Sequence, residues 1–314
     1  MPKLAVVMDP IQSIKPHKDS SFAMLLAAQK RGYQMHYITA NQLFVAAGQA
    51  RAHCQPVTVR DQAQEWFSLG ATETASLADF DVILMRKDPP FDMEYIMDTY
   101  VLEQAELAGA HVINKPQALR DANEKFFTEA FPECTPDNVI SRNPDILQDF
   151  ILDMGEVIVK PMDGMGGQSI FKTSGQDKNL NVILETVTQN GTKTTMIQKY
   201  IPEIKQGDKR ILLINGQAVP YALARIPSAS DFRGNLAKGG TGQGVPLSKQ
   251  DWRIAEMVGP KLKQMGIVFA GIDVIGDYLT EVNVTSPTCI RELDAIYDLD
   301  IAGDLFDCIE QHIL

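Results

Sequence analysis

The sequence predicts an α/β fold, with a parallel sheet in the N-terminal third and mixed α+β character in the C-terminal parts. Three observations lead there. In the first third, short apolar runs alternate with stretches of helical length, the pattern of strands joined by crossover helices. Beyond Lys115-Pro116 short strands mix with helical stretches, and from Ile201 onward hairpins appear. The length of 314 residues suggests roughly two domains at about 150 residues each.

Taken in order, Leu4 to Met8 is a buried-type strand and Ser20 to Arg31 a helix stopped by Gly32. Tyr33, Met35 and Tyr37 then alternate as one strand face. Val82 to Met85 is the next strand and ends in Arg86-Lys87-Asp88-Pro89-Pro90. A helix broken near Gly109 leads to the strand His111 to Ile113 and to Asn114. Parallel sheets bind ligands beyond the carboxyl ends of their strands, where Asp9, Arg86 and Asn114 fall. Arg86 is thereby a ligand candidate, although a lone arginine at a strand end is more often a surface residue. Further on, Glu156 to Lys160 and Met196 to Gln198 read as strands. Asn215-Gly216, between apolar runs, is a strong hairpin signal. A second hairpin runs from Ile267 through Gly276-Asp277 to Asn283. Between the hairpins, Ile226 to Gly244 is Gly-rich and polar, too long for a packed connection, and reads as a mobile lid.

Composition narrows the function. Basic residues number 29 against 40 acidic ones, a net charge of −11. That sign argues against a nucleic-acid partner, since phosphate neutralisation needs surplus Lys and Arg. The N-terminal apolar run is too short for a signal peptide, and no segment approaches the ~18 apolar residues of a membrane helix. Cys54, Cys134, Cys289 and Cys308 are scattered and read as reduced thiols. A cytoplasmic protein without a membrane partner is expected. The five histidines form no metal spacing, and no Ser-His-Asp or Cys-His arrangement stands out, which disfavours hydrolytic and redox chemistry.

Three constellations carry chemistry. Val157 to Lys160 is a strand ending in a lysine, followed by Asp163-Gly164-Met165-Gly166-Gly167. Glycines can expose backbone N–H groups to phosphate oxygens beside a lysine charge, but a plain hairpin turn carries the same letters. Second, Glu281 and Asn283 are two apart on a strand and share a face. Asp273 joins them if the turn is odd-numbered; a two-residue Gly276-Asp277 turn would set it opposite Thr280 and turn the acids apart. Oxygen ligands without His or Cys point to Mg²⁺. Third, Arg210, Arg225, Arg233 and Arg291 cluster around the lid and this hairpin, with forks suited to carboxylate and phosphate.

In this order, with Asn123-Glu124-Lys125, the Lys160-Pro161 strand end and Asp208-Lys209-Arg210, the pieces resemble the ATP-grasp ligases. Within that superfamily the likeness is to the bacterial glutathione synthetases. It rests on Met85-Arg86-Lys87-Asp88-Pro89-Pro90, Asn114-Lys115-Pro116, the Gly loop and Glu281-Val282-Asn283-Val284-Thr285-Ser286-Pro287-Thr288-Cys289-Ile290-Arg291-Glu292. The resemblance implies three parts: a domain preceding the grasp at 1–122, a central lid subdomain at 123–200, and a C-terminal subdomain at 201–314 with the flexible loop 226–244. It implies that ATP contacts Lys125, Lys160, Gly164, Gly166, Gly167, Gln198, Ile201 and Asp208. Asp273, Glu281 and Asn283 would bind Mg²⁺, two ions, with Mn²⁺ able to substitute. Arg210, Arg225, Asn283, Ser286 and Thr288 would place γ-glutamylcysteine, with Arg86 contributing, and Arg291 and Glu292 would lie near glycine. Arg210, Arg225 and Arg233 are the implied catalytic arginines, the reaction passes through an acyl phosphate, and a homo-oligomer is implied. A D-alanine–D-alanine or glutamate ligase would share the phosphate and metal residues and differ in substrate pocket; a nucleotide-binding regulator would be expected to lack one of them.

The lid reading makes a prediction. Arg233→Ala, or cleavage within residues 226–244, is expected to cut turnover or to raise the ratio of ADP released to amide formed. Kinetics unchanged after nicking would remove the lid.

Overall fold

The computed structural model describes residues 1–164, 166–228, 234 and 240–314. Lys3–Met8 (β1) is apolar from Leu4 onward, all five of those side chains buried. Ser20–Lys30 (α1) starts where the Asp19 side chain accepts from the Phe22 N–H at 2.7 Å, a cap for an otherwise unpaired donor. It ends at Gly32, whose φ of +80° suits a residue without Cβ. Gln34–Ile38 (β2), Leu43–Ala46 (β3), Gln49–Val59 (β4), Phe67–Leu69 (β5), Glu73–Ser76 (β6), Val82–Arg86 (β7), Met93–Leu107 (α2), His111–Ile113 (β8) and Pro116–Asp121 (α3) follow. The sheet order is β3-β4-β2-β1-β7-β8, with β5 and β6 pairing β4. β1 runs parallel to β2 and β7, and β7 parallel to β8, as the alternation of apolar runs and helices predicts.

Asn138–Ser141 (β9), Pro144–Met154 (α4), Val157–Pro161 (β10), Phe171–Thr173 (β11), Leu180–Thr188 (α5) and Thr195–Lys199 (β12) build a second, antiparallel sheet ordered β11-β10-β12-β9. Its helices supply Leu147, Ile151, Leu180, Leu184 and Val187 to a core that also holds Val157, Val159 and Ile197. No residue of the other two sheets belongs to that core.

Asp208–Ile214 (β13), Gln217–Ile226 (β14), Thr241–Pro246 (β15), Lys249–Met265 (α6), Phe269–Ile275 (β16) and Tyr278–Asn283 (β17) make the third sheet, ordered β15-β14-β13-β16-β17. Asn215 and Gly216, with φ of +49° and +80°, turn β13 into β14 in the two-residue form that Asn-Gly favours. A Cβ on Gly216 would stand 2.5 Å from the Gly259 carbonyl, so this turn needs glycine for space as well. Thr241 to Gly244 correct the expected lid: they are strand residues paired with Ile226 to Leu223. Their apolar content is low because β15 is an edge strand and Gly244 lies against Tyr297, leaving no room for a side chain. Ile226 likewise ends β14; Arg233 lies outside the described residues.

Ile290–Tyr297 (α7) and Ile301–His312 (α8) return to the first sheet. Phe306 meets Tyr33 edge-on at 5.3 Å, and Arg31 pairs with Asp307 and Glu310. The first and third sheets therefore share apolar cores, with Val7 and Ile83 in the same cluster as Ile211 and Ile272. Among the described residues no helix is long and apolar enough to cross a membrane.

Asn114, at the end of β8, rivets these two sheets. Its Nδ2 donates to the carbonyls of Phe269 and Val284, both at 2.7 Å, and its Oδ1 accepts from the N–H groups of Val268 and Phe269 at 2.8 and 2.9 Å. The side chain is buried, so removing it orphans groups that water cannot reach. Asn114→Ala is expected to lower the unfolding free energy by roughly 2–4 kcal/mol, read from urea denaturation midpoints at unchanged slope.

Candidate active site

One face of the third sheet carries a row of charge, set by register. Arg225 on β14 pairs with Asp208 on β13; two residues on, Arg210 pairs with Asp273 on β16. Asp273 in turn pairs with Glu281 on β17, and Gly271 with Asn283. The opposite face sends Ile211, Leu213, Ile272 and Val274 into the core. The pairing of Asp273 with Glu281 has a specific origin. The turn at Gly276-Asp277 is the two-residue form, since Ile275 pairs with Tyr278 and Val274 with Leu279. That alone would set Asp273 opposite Thr280. A bulge makes Thr280 the extra residue, and its Oγ1 donates to the Asp273 carbonyl at 3.2 Å. Both acids thus face the same way.

Across a cavity of about 500 Å³, β10 and β12 present Ile158, Lys160 and Gln198, whose neighbours Val157, Val159 and Ile197 turn into the second sheet's core. Lys160, 7% exposed, donates to Gln198 Oε1 at 3.0 Å, and no carboxylate among the described residues forms an ion pair with it. Burial pushes its ammonium below the ordinary lysine range. Lys125 is also buried, yet its charge is held. Burial opposes it, but Glu281, 3.9 Å away, and the adjoining Glu124 outweigh that and raise its pKa. Its Nζ also donates to the Gly164 carbonyl at 2.8 Å, tying the Gly loop to the wall. Gly166, Gly167, Ile201, Asp208, Ser286 and Thr288 line the cavity as well.

Three buried polar atoms lining the cavity have no partner among the described residues: Glu292 Oε2 and, as a donor and an acceptor, Gln198 Nε2 and Asp208 Oδ1. An unsatisfied donor and acceptor, flanked by Ile158, Ile201 and Ile275, are what a planar, hydroxyl-bearing ligand can complete. Burial raises the Asp208 carboxyl to about 6, against the pull of Arg225, whose NH2 contacts its other oxygen.

Arg210 and Arg225 converge on Asp273. Arg210 grips it with Nε and, at 2.9 Å, NH2; Arg225 NH2 stands 2.8 Å from Oδ2. Burial alone would raise this carboxyl, and the two guanidiniums hold it well below the usual range instead. Of the three residues expected to ligate metal, Glu281, only loosely paired with Lys125 at 3.9 Å, and Asn283 line the cavity with hard oxygen atoms, which suits an ion that shares its shell with phosphates and water. Asp273 lines it too but is committed to arginines. A unit charge pair 4 Å apart costs about 4 kcal/mol at an effective dielectric of 20, and a divalent ion beside a guanidinium twice that. Among the described residues no group of three His, Cys, Asp or Glu stands ready to hold a metal unaided.

Two expected substrate residues lie elsewhere. Arg86 does not line the cavity: its Nε donates to Ser21 Oγ at 3.0 Å and its NH2 to the Pro287 carbonyl at 2.9 Å. It holds the Ser286-Pro287-Thr288 turn from beneath, and Gly271 leaves the space in which that turn meets Arg210. Arg291 points to an outer groove and pairs with Asp61 at 2.8 Å. Residues that sequence reasoning passed over also line the cavity: Ser13, Lys15, Lys18, Asp19 and Asp88 from the first domain. Asp88 stands in the Met85-Arg86-Lys87-Asp88-Pro89-Pro90 string that carries the resemblance, and Asp19 directly precedes the helix expected from Ser20.

A family model of the prokaryotic glutathione synthetase N-terminal domain matches residues 2–120, and one of the prokaryotic glutathione synthetase ATP-grasp domain matches residues 124–298. The chain belongs to the prokaryotic glutathione synthetases. Within that family, the glutathione synthetase of Pseudomonas syringae pv. tomato is 56% identical over 311 residues, covering 99% of this chain and 98% of its own. That of Escherichia coli is 53% identical over 313 residues, covering 100% and 99%. Among solved structures, the D-cycloserine synthetase DcsG superposes with a TM-score of 0.69 at 13% identity, covering 99% of this chain and 100% of its own. The ATP-grasp ligase PsnB, complexed with minimal precursor, Mg and ADP, gives 0.61 at 18%, covering 98% and 96%. Those likenesses extend the fold beyond the family.

The Asp208 shift fixes a pH dependence. Its carboxyl titrates near 3.8 when unfolded and about 6 when folded, so the folded state favours the proton. Stability associated with this group is present below pH 4 and is lost as pH rises to about 6. Relative to wild type, Asp208→Asn is expected to gain in melting temperature between pH 4 and 7, seen in parallel thermal melts. A constant difference across that range would contradict the burial argument.

Proposed function

We propose that this chain joins γ-glutamylcysteine to glycine, using ATP, through an acyl phosphate. Membership of the family supports ATP-dependent glutathione synthesis, and one observation of geometry carries the site assignment: the buried, unpaired ammonium of Lys160 facing a glycine loop and Lys125. A buried cation without a counter-anion is a standing deficit that phosphate oxygens correct.

In this reading the dipeptide carboxylate attacks the γ-phosphorus, and the bond to the ADP oxygen breaks. Glycine's nitrogen then bonds the acyl carbon as phosphate departs. Lys125, Lys160 and the loop N–H groups hold phosphates; Gln198 Nε2 and Asp208 Oδ1 complete contacts to base and ribose; Ile158, Ile201 and Ile275 flank the ring. Arg210 and Arg225 receive carboxylate, and their charge stabilises oxygen that becomes negative at the tetrahedral centre. Glu281 and Asn283 would hold Mg²⁺, which when bound neutralises charge on the phosphates; a second ion and Mn²⁺ belong to the same reading. Arg233 and the other residues between β14 and β15, 227–240, exclude water from the acyl phosphate. The assignment extends to a cytoplasmic homo-oligomer acting on small molecules, and the net charge of −11 supports the lack of a nucleic-acid partner.

Release of ADP, measured with one component omitted at a time, tests the activity. Dependence on Mg²⁺-ATP, γ-glutamylcysteine and glycine together, with glutathione formed, is the expected result; turnover with a different carboxylate–amine pair alone would replace it. Lys160→Met separates site from scaffold. It should weaken nucleotide binding by roughly 10- to 100-fold, the worth of a charged hydrogen bond. It should also raise the melting temperature of the ligand-free protein, because a buried unpaired charge is removed.

A further inference from the structure

Asp273 has two claims on it. It stands in the row of donors with Glu281 and Asn283, yet both its oxygens accept from guanidiniums, and Asn283 Nδ2 adds a third contact to Oδ2 at 3.4 Å. Arg210, 6% exposed, and Arg225, 5% exposed, have no water to fall back on. Arg225 keeps Asp208 as a second partner, while Arg210 contacts no carboxylate but Asp273 among the described residues. A cation ligated to Asp273 would sit beside both guanidiniums and be repelled by them. Releasing Asp273 without a cation would instead leave it facing Glu281 and Asp208, two further acids in a buried wall.

Each half of the exchange is therefore unfavourable alone, and the two halves together are balanced. An incoming carboxylate can take the place of Asp273 on the arginines, like for like. The divalent ion can take the place of the arginines on Asp273, charge for charge. We propose that Asp273 is a positioning residue that presets Arg210 and Arg225 for the substrate carboxylate and turns to the metal only when that carboxylate arrives. Dipeptide and metal binding are then positively coupled through one side chain. This rests on the reading that γ-glutamylcysteine and Mg²⁺-ATP share this cavity. It adds that the site carries, in Asp273, its own substitute for the substrate anion.

The test is a titration of Mn²⁺, with the free ion followed by electron paramagnetic resonance, into enzyme saturated with the non-hydrolysable analogue β,γ-imido-ATP. It is run with and without γ-glutamylcysteine. The dipeptide is expected to tighten the weaker metal site by about 5- to 100-fold, and by linkage Mn²⁺ should tighten the dipeptide by the same factor in calorimetry. Asp273→Asn, too weak an acceptor to hold the guanidiniums, should bring the ratio close to one while analogue binding persists. Arg225→Lys, which keeps the charge but loses the fork, should lower it and serves where the first variant does not fold. A wild-type ratio within twofold of one in an enzyme that makes glutathione overturns the exchange and leaves the proposed function standing. So does a ratio unchanged in both variants. An enzyme that binds no dipeptide at all overturns both.

Discussion

Everything in the cavity depends on holding charge without water. Lys125, Lys160, Arg210 and Arg225 face Glu124, Asp208, Asp273 and Glu281, four cations against four carboxylates, with all four cations and Asp273 buried. The arrangement is neutral in sum but uneven in detail. The arginines and Lys125 are compensated, and Lys160 is not. Where compensation is complete the wall is rigid and specific; where it is missing the wall is poised for an anion. The same low dielectric that makes these pairs strong makes the unpaired member reactive toward ligand.

The three sheets divide the work of holding that charge. The third supplies a ladder whose register alternates core and site, so that apolar Ile272 and Val274 anchor the strand that bears Asp273. The first sheet shares its core with the third and braces the Ser286-Pro287-Thr288 turn through Arg86 and the strand ends through Asn114. The second sheet reaches across with Lys160 and Gln198 while burying its other face privately.

Much of this was legible in the letters. Period and breakers located β1, α1, β2, β7 and β8 in the first sheet, and Asn215-Gly216 located a hairpin, because local chemistry decides such elements. The Gly loop with Lys160 and the row Asp273, Glu281 and Asn283 were likewise visible as motifs. Three things were not. Whether Asp273 and Glu281 share a face turned on a bulge at Thr280, and nothing in Leu279-Thr280-Glu281 announces one. Arg86 and Asn114 look like ligand positions at strand ends, yet their partners Pro287, Val284 and Phe269 lie more than 150 residues away in sequence, a separation that pattern cannot bridge. Arg291 sits beside cavity residues in the chain, but it lies on the helix side that faces Asp61.

The private core of the second sheet has a consequence for how such an enzyme can diverge. Leu147, Ile151, Leu184 and Ile197 pack only among themselves and their near neighbours in sequence. Among the described residues, substitutions there repack a core that no residue of the first or third sheet enters. The second sheet with its helices can drift or be transplanted as a cassette, while the first and third sheets, fused through a common interior, must evolve as one piece.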